Sequence, residues 1–234
     1  MTFIIAIQLN DSIIVAADNK KVVVENSDEL RFRSIHATKI RMWENGIITG
    51  AGEDIVIHRA VELFKSIANQ NLDKLPLCLN VSREIRELEI GSNHDQVENT
   101  KLLHSSYSEK GAQLYITQRF ESSQPYIMST VESMEIIVWL FDPNIEKIHY
   151  DLQQLQQNLR DFTTFSTQIE WVHYYLRYLC PIFKKQSRQD SWMSQSFDFF
   201  FQTKEDYLIG HIPNTQILDL DIEFKEITPA SVSI

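Results

Sequence analysis

The segment Met1–Lys20, MTFIIAIQLNDSIIVAADNK, decides the fold of this chain. Two apolar, β-branched runs, Phe3–Leu9 and Ser12–Ala17, flank the turn dipeptide Asn10-Asp11, which is typical of a β-hairpin. Both runs are hydrophobic at consecutive positions, so each strand needs apolar cover on both faces. The segment therefore predicts two central strands of a sheet that has other layers above and below it.

Three more strand pairs are predicted along the chain, each around a short polar turn such as Glu44-Asn45-Gly46. They are residues 39–43 with 47–49, residues 135–141 with 147–152 around a turn at 142–144, and residues 197–203 with 207–212. Residues 18–34 are polar and are predicted to form a stretch with a charged tip.

Helical spacing appears in three places. Apolar residues from Ile57 to Ala68 recur on one helical face, a weaker helix follows up to Gly91, and an aromatic helix is expected over Thr167–Gln186. Pro181 is expected to end or kink that last helix. The resulting order of strands and helices predicts an α+β fold, a four-layer αββα sandwich of two antiparallel sheets with helices outside.

Low glycine and proline content favours one domain over residues 1–234. The chain has six Gly and six Pro, and no Gly/Ser linker or repeat divides it. Residues at about 92–135 have no clear pattern and are interpreted as an insertion in that domain.

The formal net charge of −10 argues against nucleic acid as a partner, because an acidic chain repels phosphate backbones. No apolar run reaches the length of a membrane span, and the N-terminus lacks the basic region of a signal peptide. The chain is therefore expected to stay in the cytoplasm without membrane contact. The two cysteines and seven histidines show no metal-ligand spacing, so neither a metal nor a cofactor is predicted.

The N-terminal segment, together with ATKIRMWENGIITGAGED at residues 37–54, resembles the start of a proteasome β-type subunit or of its bacterial relatives. Those proteins open with a Thr, continue with two strands that end in an acidic residue, and then have a Lys at the third strand and a Gly in the turn into the first helix. The matching positions here are Thr2, Asp18, Lys39 and Gly50.

This resemblance implies an N-terminal-nucleophile hydrolase in which Thr2 attacks an amide once Met1 is removed. The α-amine of Thr2 would act as the base, since its ordinary pKa is near 8. Lys39 would favour the alkoxide, Asp18 would orient Lys39, and the Gly50 N–H would donate to the oxyanion.

The resemblance weakens toward the C-terminus. The family commonly has an Asp with a Ser three residues later, then a Gly pair, before the penultimate strand. Here Asp190 matches the Asp, Met193 occupies the Ser position, Ser194 follows it, and the Gly pair is absent. Asp190 and Ser194 are therefore the candidates for supporting residues.

Three functions remain open from the sequence. The first is a threonine-type peptidase or amidohydrolase that acts on peptides or unfolded proteins and assembles into a homo-oligomer; no ATPase partner is specified. The second is a catalytically silent scaffold or binding subunit, favoured by the altered segment around Met193. The third is a small-molecule amidase on the same fold.

Overall fold

The computed structural model describes residues 2–25, 31–92, 94–108, 111–140 and 144–213. Twelve strands lie in these ranges: β1 (Ile4–Gln8), β2 (Ile13–Asp18), β3 (Lys20–Glu25), β4 (Arg31–His36), β5 (Arg41–Trp43), β6 (Gly46–Ala51), β7 (Lys101–Ser108), β8 (Gly111–Gln118), β9 (Ile127–Thr130), β10 (Glu135–Trp139), β11 (Phe197–Gln202) and β12 (Tyr207–Ile212). The helices of the same ranges are α1 (Asp54–Ser66), α2 (Leu75–Ile90), α3 (Asp95–Glu98), α4 (His149–Gln157) and α5 (Gln168–Ser187), with short 3-10 turns at Leu72–Lys74 and Phe162–Thr164.

Ten of these strands form two five-stranded sheets. The order in the first sheet is β10-β1-β2-β11-β12, and in the second it is β5-β6-β7-β8-β9; all the pairs are antiparallel. The hairpins predicted around Asn10-Asp11, around Gly46 and over residues 197–212 are all present.

Three apolar cores hold four layers together. Alternate residues of β1 face opposite ways: Ile5 packs under α5, and Ile4 packs between the sheets against residues such as Leu103. On the far side, α1 and α2 cover the second sheet through residues such as Phe64. The αββα sandwich predicted from the sequence is confirmed, and its physical reason is that both faces of the opening strands are apolar.

The predicted strand over 147–152 is wrong. The chain after β10 instead forms α4, and Ile148, Leu152 and Leu155 pack together in the core under α5. Their spacing of i, i+4 and i+7 places them on one helical face, so burial favours a helix over a strand. The turn predicted at 142–144 falls partly on residues outside the described ranges.

Pro181 does not end α5, which continues to Ser187. The residues on either side of it, Cys180, Ile182 and Phe183, are all buried in the core between α5 and the first sheet. Packing on both sides of the proline therefore outweighs the loss of one helical hydrogen bond.

The polar stretch after Asp18 contains a hairpin that the sequence interpretation missed. β3 pairs with β4 from Lys20 opposite His36 to Glu25 opposite Arg31, and the tip lies outside the described residues. The base of the hairpin is closed by a hydrogen bond from the Ala37 N–H to the Asn19 carbonyl at 2.8 Å.

Residues 92–135, interpreted as an insertion, supply α3 and the strands β7, β8 and β9 of the second sheet. Leu102, Leu103 and Leu114 from this segment are fully buried. None of the helices in the described ranges is long and apolar enough to cross a membrane.

Candidate functional site

Asp18 is fully buried at the end of β2, beside the start of the chain. Its Oδ1 accepts a hydrogen bond from the Phe3 N–H at 2.8 Å, and its Oδ2 accepts one from the Lys20 N–H at 3.1 Å. The Asp18 N–H in turn donates to the Phe3 carbonyl at 3.0 Å. These contacts hold the carboxylate next to the peptide unit that joins Thr2 to Phe3.

The Lys39 ammonium lies against the same carboxylate oxygen, with Nζ 2.6 Å from Oδ1 of Asp18. The Lys39 side chain is only 12% exposed, so the ammonium is not directed at bulk solvent. Burial lowers the pKa of Lys39 below its ordinary value, against the opposing attraction of Asp18, Asp54 and Asp190.

A second ion-pair group lies at the start of α1. Asp54 accepts from Lys21 Nζ at 2.5 Å and from Arg41 Nη2 at 2.9 Å. Burial raises the pKa of Asp54, but the hydrogen bonds and charges of Lys21 and Arg41 outweigh it, so the net pKa lies below the ordinary value.

Thr2 lies on the wall of two cavities. One cavity, of about 550 Å³, is lined by Thr2, Lys39, Gly50 and the Lys21–Arg41–Asp54 group, among others. The other, of about 420 Å³, is lined by Thr2, Gly52, Gln96, Lys101 and Arg119, among others. Volumes in this range are typical of clefts that accept a small molecule or a short stretch of peptide.

Gly50 and Gly52 shape the cavity wall at the end of β6. A methyl group on Gly50 would lie 2.6 Å from the Lys101 carbonyl oxygen, so a larger residue would displace β6 from β7. Gly52 has φ +116° and lies so close to Thr100 that a methyl group would approach its Cα to 2.5 Å. Glycine is therefore required at both positions because a side chain would collide with the neighbouring backbone.

Asp190 and Ser194 occupy different surroundings. Asp190 is close enough to Lys39 for its charge to favour the ammonium, and its Oδ1 accepts from the Trp192 N–H at 2.8 Å. The Ser194 hydroxyl lies 2.9 Å from Asn19 Oδ1 and 2.5 Å from the Ser196 carbonyl oxygen, so it can donate to either acceptor. The structure thus brings Asp190 toward Lys39 and directs Ser194 to Asn19.

Two site residues were missed by the sequence interpretation. Arg41 stands two positions after Lys39, and this i, i+2 spacing on a strand is the signal that both share one face. Asn19 follows Asp18 directly and joins the serine hydroxyls of the C-terminal segment to the end of β2. Only the pairing of β2 with β11 brings those segments together.

These residues form a charged, half-enclosed pocket at the start of the chain. The Lys39 ammonium lies on the wall of the cavity that Thr2 also lines, and the Asp18 carboxylate holds it there. Such a cation stabilises negative charge that develops on a neighbouring oxygen.

No protein-family model matches the chain, and no curated protein matches its sequence. Solved structures do share its fold. One is the Anbu (Gly-1) mutant from Hyphomicrobium sp. strain MC1, with 12% identity, a TM-score of 0.56, and coverage of 87% of this chain and 82% of that one. Another is Anbu (ancestral beta-subunit) from Yersinia bercovieri, with 12% identity, a TM-score of 0.57, and coverage of 88% and 86%.

These findings correct the resemblance to a proteasome β-type subunit. The two structures named above are Anbu proteins, which are proteasome-like but form a distinct family. Four matching residues, Thr2, Asp18, Lys39 and Gly50, are too few to distinguish one proteasome-like family from another. The chain has the proteasome-like N-terminal-nucleophile hydrolase fold.

Proposed function

We propose that the chain, after removal of Met1, is a threonine-type hydrolase that cleaves amide bonds through an acyl-enzyme. The observation that carries this proposal is that one oxygen of Asp18 accepts from both the Phe3 N–H and the Lys39 ammonium. Because Asp18 Oδ1 contacts both groups, the Lys39 ammonium is held close to the Phe3 N–H, in the cavity that Thr2 also lines.

The proposed reaction starts at Thr2. Its Oγ attacks the amide carbonyl carbon, and its proton passes to the free α-amine. The C–N bond then breaks, the leaving amine takes up that proton, and an ester to Thr2 remains. Water attacks the ester with the α-amine as base, which releases a carboxylic acid and restores Thr2.

The surrounding residues supply charge and position in this proposal. Lys39 stabilises the developing negative charge and lowers the pKa of the α-amine, while Asp18 orients Lys39. The Gly50 N–H is the proposed oxyanion donor, a contribution that is typically worth about 3 kcal/mol in other hydrolases. Asp190 supports the charge of Lys39.

Peptides or unfolded proteins are the proposed substrates, and the cytoplasm is the proposed location. Self-assembly belongs to the same proposal. Large apolar side chains that are exposed on the helices or at their ends support it, namely Ile67, Leu77, Leu88 and Ile169. Size-exclusion chromatography with light scattering tests assembly, and a monomer at all concentrations would contradict it.

Covalent labelling tests the nucleophile. A peptide epoxyketone or β-lactone should add once to the wild-type protein, as seen in its intact mass, and Thr2→Ala should abolish the adduct. Thr38→Ala is the matched control, because Thr38 lines the same cavity outside the proposed mechanism. Retained Met1, or labelling that survives Thr2→Ala, would contradict the proposal.

One observation favours a second candidate, a catalytically silent scaffold. The position where the related segment commonly has a Ser holds Met193, which is buried, and the neighbouring Ser194 is engaged by Asn19. A scaffold would assemble but retain Met1 and resist labelling. Turnover of small amides without turnover of denatured protein would instead favour the small-molecule amidase.

A further inference from the structure

A cluster of two histidines and one aspartate lies away from Thr2, where the β3–β4 hairpin meets the first sheet. His36 is the last residue of β4, and Asp198 and His211 are directly opposite each other on β11 and β12. The rings of His36 and His211 have their centroids 5.3 Å apart. Each of the three residues offers one ligand atom, and these atoms all lie within 4.8 Å of one another.

Asp198 has an unusual environment for a carboxylate. The residue is only 6% exposed, and its Oδ1 lies 2.8 Å from His211 Nδ1. Its Oδ2 is buried and has no hydrogen-bond partner among the described residues. Burial of a carboxylate oxygen without a partner is unfavourable, and a bound cation is one of the few ways to compensate for it.

We propose that His36, Asp198 and His211 together bind one divalent first-row transition-metal ion of the Zn²⁺ type. Two imidazole nitrogens and one carboxylate oxygen are a common ligand set for such ions, and three protein ligands leave a position for water. Ligand atoms of a tetrahedral Zn²⁺ site lie roughly 3.3 Å apart, as bond lengths near 2 Å require. Binding therefore requires the three ligand atoms to draw together from separations of up to 4.8 Å.

Asn19 contacts this cluster and links it to two serine hydroxyls. Asn19 Nδ2 lies 3.1 Å from His211 Nδ1, and Asn19 Oδ1 accepts from Ser194 and Ser196. A ligating imidazole is held in one orientation by a hydrogen bond at its other ring nitrogen, so the contacts at His211 Nδ1 suit an ion that is bound at Nε2. Asn19 also accepts from the Ala37 N–H through its carbonyl, so the same residue closes the hairpin that carries His36.

The consequence of metal binding is local. Lys20, Lys21 and Ala37, at the base of the hairpin, line the cavity beside Thr2. An ion shared by His36 and the first sheet would tie this hairpin to β11 and β12. Because the ion binds the folded state, it would raise the thermal midpoint of unfolding as its concentration increases.

Calorimetric titration of the chelator-treated full chain with Zn²⁺ tests the proposal, with Co²⁺ absorption as a second readout of nitrogen and oxygen ligands. The wild type should bind one Zn²⁺ per chain. His36→Ala and His211→Ala should each lower the affinity by more than about tenfold. His149→Ala, which removes an exposed histidine on α4, should leave it unchanged.

Folding of each variant is checked by circular dichroism. His36 is exposed at the end of a hairpin, so its removal leaves the core intact even where Asp198→Asn destabilises the protein. Failure of the wild type to bind Zn²⁺ overturns the proposal. An affinity that survives either histidine substitution also overturns it, because the site requires all three ligands.

Discussion

The Lys39 ammonium and the Asp18 carboxylate form an ion pair at 2.6 Å across 21 positions of sequence, with Asp18 fully buried. The two groups differ in their other contacts. Asp18 also accepts from two backbone N–H groups, whereas burial works against the charge of Lys39. The carboxylate is therefore the group that keeps a cation at the start of the chain.

Asp18→Asn tests the importance of that carboxylate for stability. It preserves the shape of the side chain but removes the negative charge that faces the Lys39 ammonium, and loss of one member of a buried ion pair typically costs about 3 kcal/mol. Urea unfolding measures the loss. The double variant Asp18→Asn/Lys39→Met should be more stable than the single one, and the opposite order would show that the pair does not dominate.

Gly50→Ala is expected to destabilise the protein by about 1–3 kcal/mol, because the added methyl group meets the Lys101 carbonyl oxygen at 2.6 Å. The same shift moves the proposed oxyanion donor, so labelling by the epoxyketone should slow as well. Unfolding midpoints and labelling rates measure the two effects. Unchanged stability would contradict the close approach of β6 and β7.

Asp190→Asn and Ser194→Ala separate the two supporting candidates. Asp190 acts more weakly on the charge of Lys39 than Asp18 and Asp54 do, so its loss should slow covalent labelling by a few-fold, about 1 kcal/mol or less. Ser194 reaches the site only through Asn19, so Ser194→Ala should change the rate far less. A larger effect from Ser194 would reverse the roles proposed for these residues.

His104 predicts how stability depends on pH. It is fully buried, its Nε2 lies 3.0 Å from Thr117 Oγ1, and burial lowers its pKa to about 3. Between about 6.5 and about 3, the unfolded chain binds a proton at this residue that the folded chain does not. Its contribution to stability is therefore lost as the pH falls through this window, by roughly 1.4 kcal/mol per unit.

Urea unfolding of the wild type and of His104→Gln at several pH values between 4 and 7 measures this contribution. The substitution removes the titration but keeps a polar side chain beside Thr117. The difference in unfolding free energy between the two proteins should change steadily with pH. Parallel curves would show that His104 does not titrate as its burial requires.

Local patterns predicted the elements wherever apolar periodicity was strong. The strands around Asn10-Asp11 and the helix after Asp54 follow from runs of adjacent or regularly spaced apolar residues. The β3–β4 hairpin was missed because its apolar run, Val22–Val24, is short and lies between charged residues, so the sequence carries little periodic signal there. Residues 147–152 were predicted as a strand because Ile148, Tyr150 and Leu152 alternate with polar residues, although Ile148, Leu152 and Leu155 also fit one helical face.

The candidate site was predictable only in part. A resemblance in the first part of the chain pointed to Thr2, Asp18, Lys39 and Gly50. The family inferred from that resemblance was wrong. Arg41 and Asn19 were missed, since their roles depend on partners from α1 and from the segment before β11. Asp190 and Ser194 are only four positions apart in one loop, so the sequence did not show that their side chains have different surroundings.

By itself, the sequence determined the layered architecture, because strands that are apolar on both faces are stable only between two covering layers. The tertiary structure alone decided which charged groups meet. Asp18 reaches Lys39, and His36 reaches Asp198 and His211, through the register of strands that are distant along the chain. A one-residue slip in such a register would turn each side chain to the opposite face.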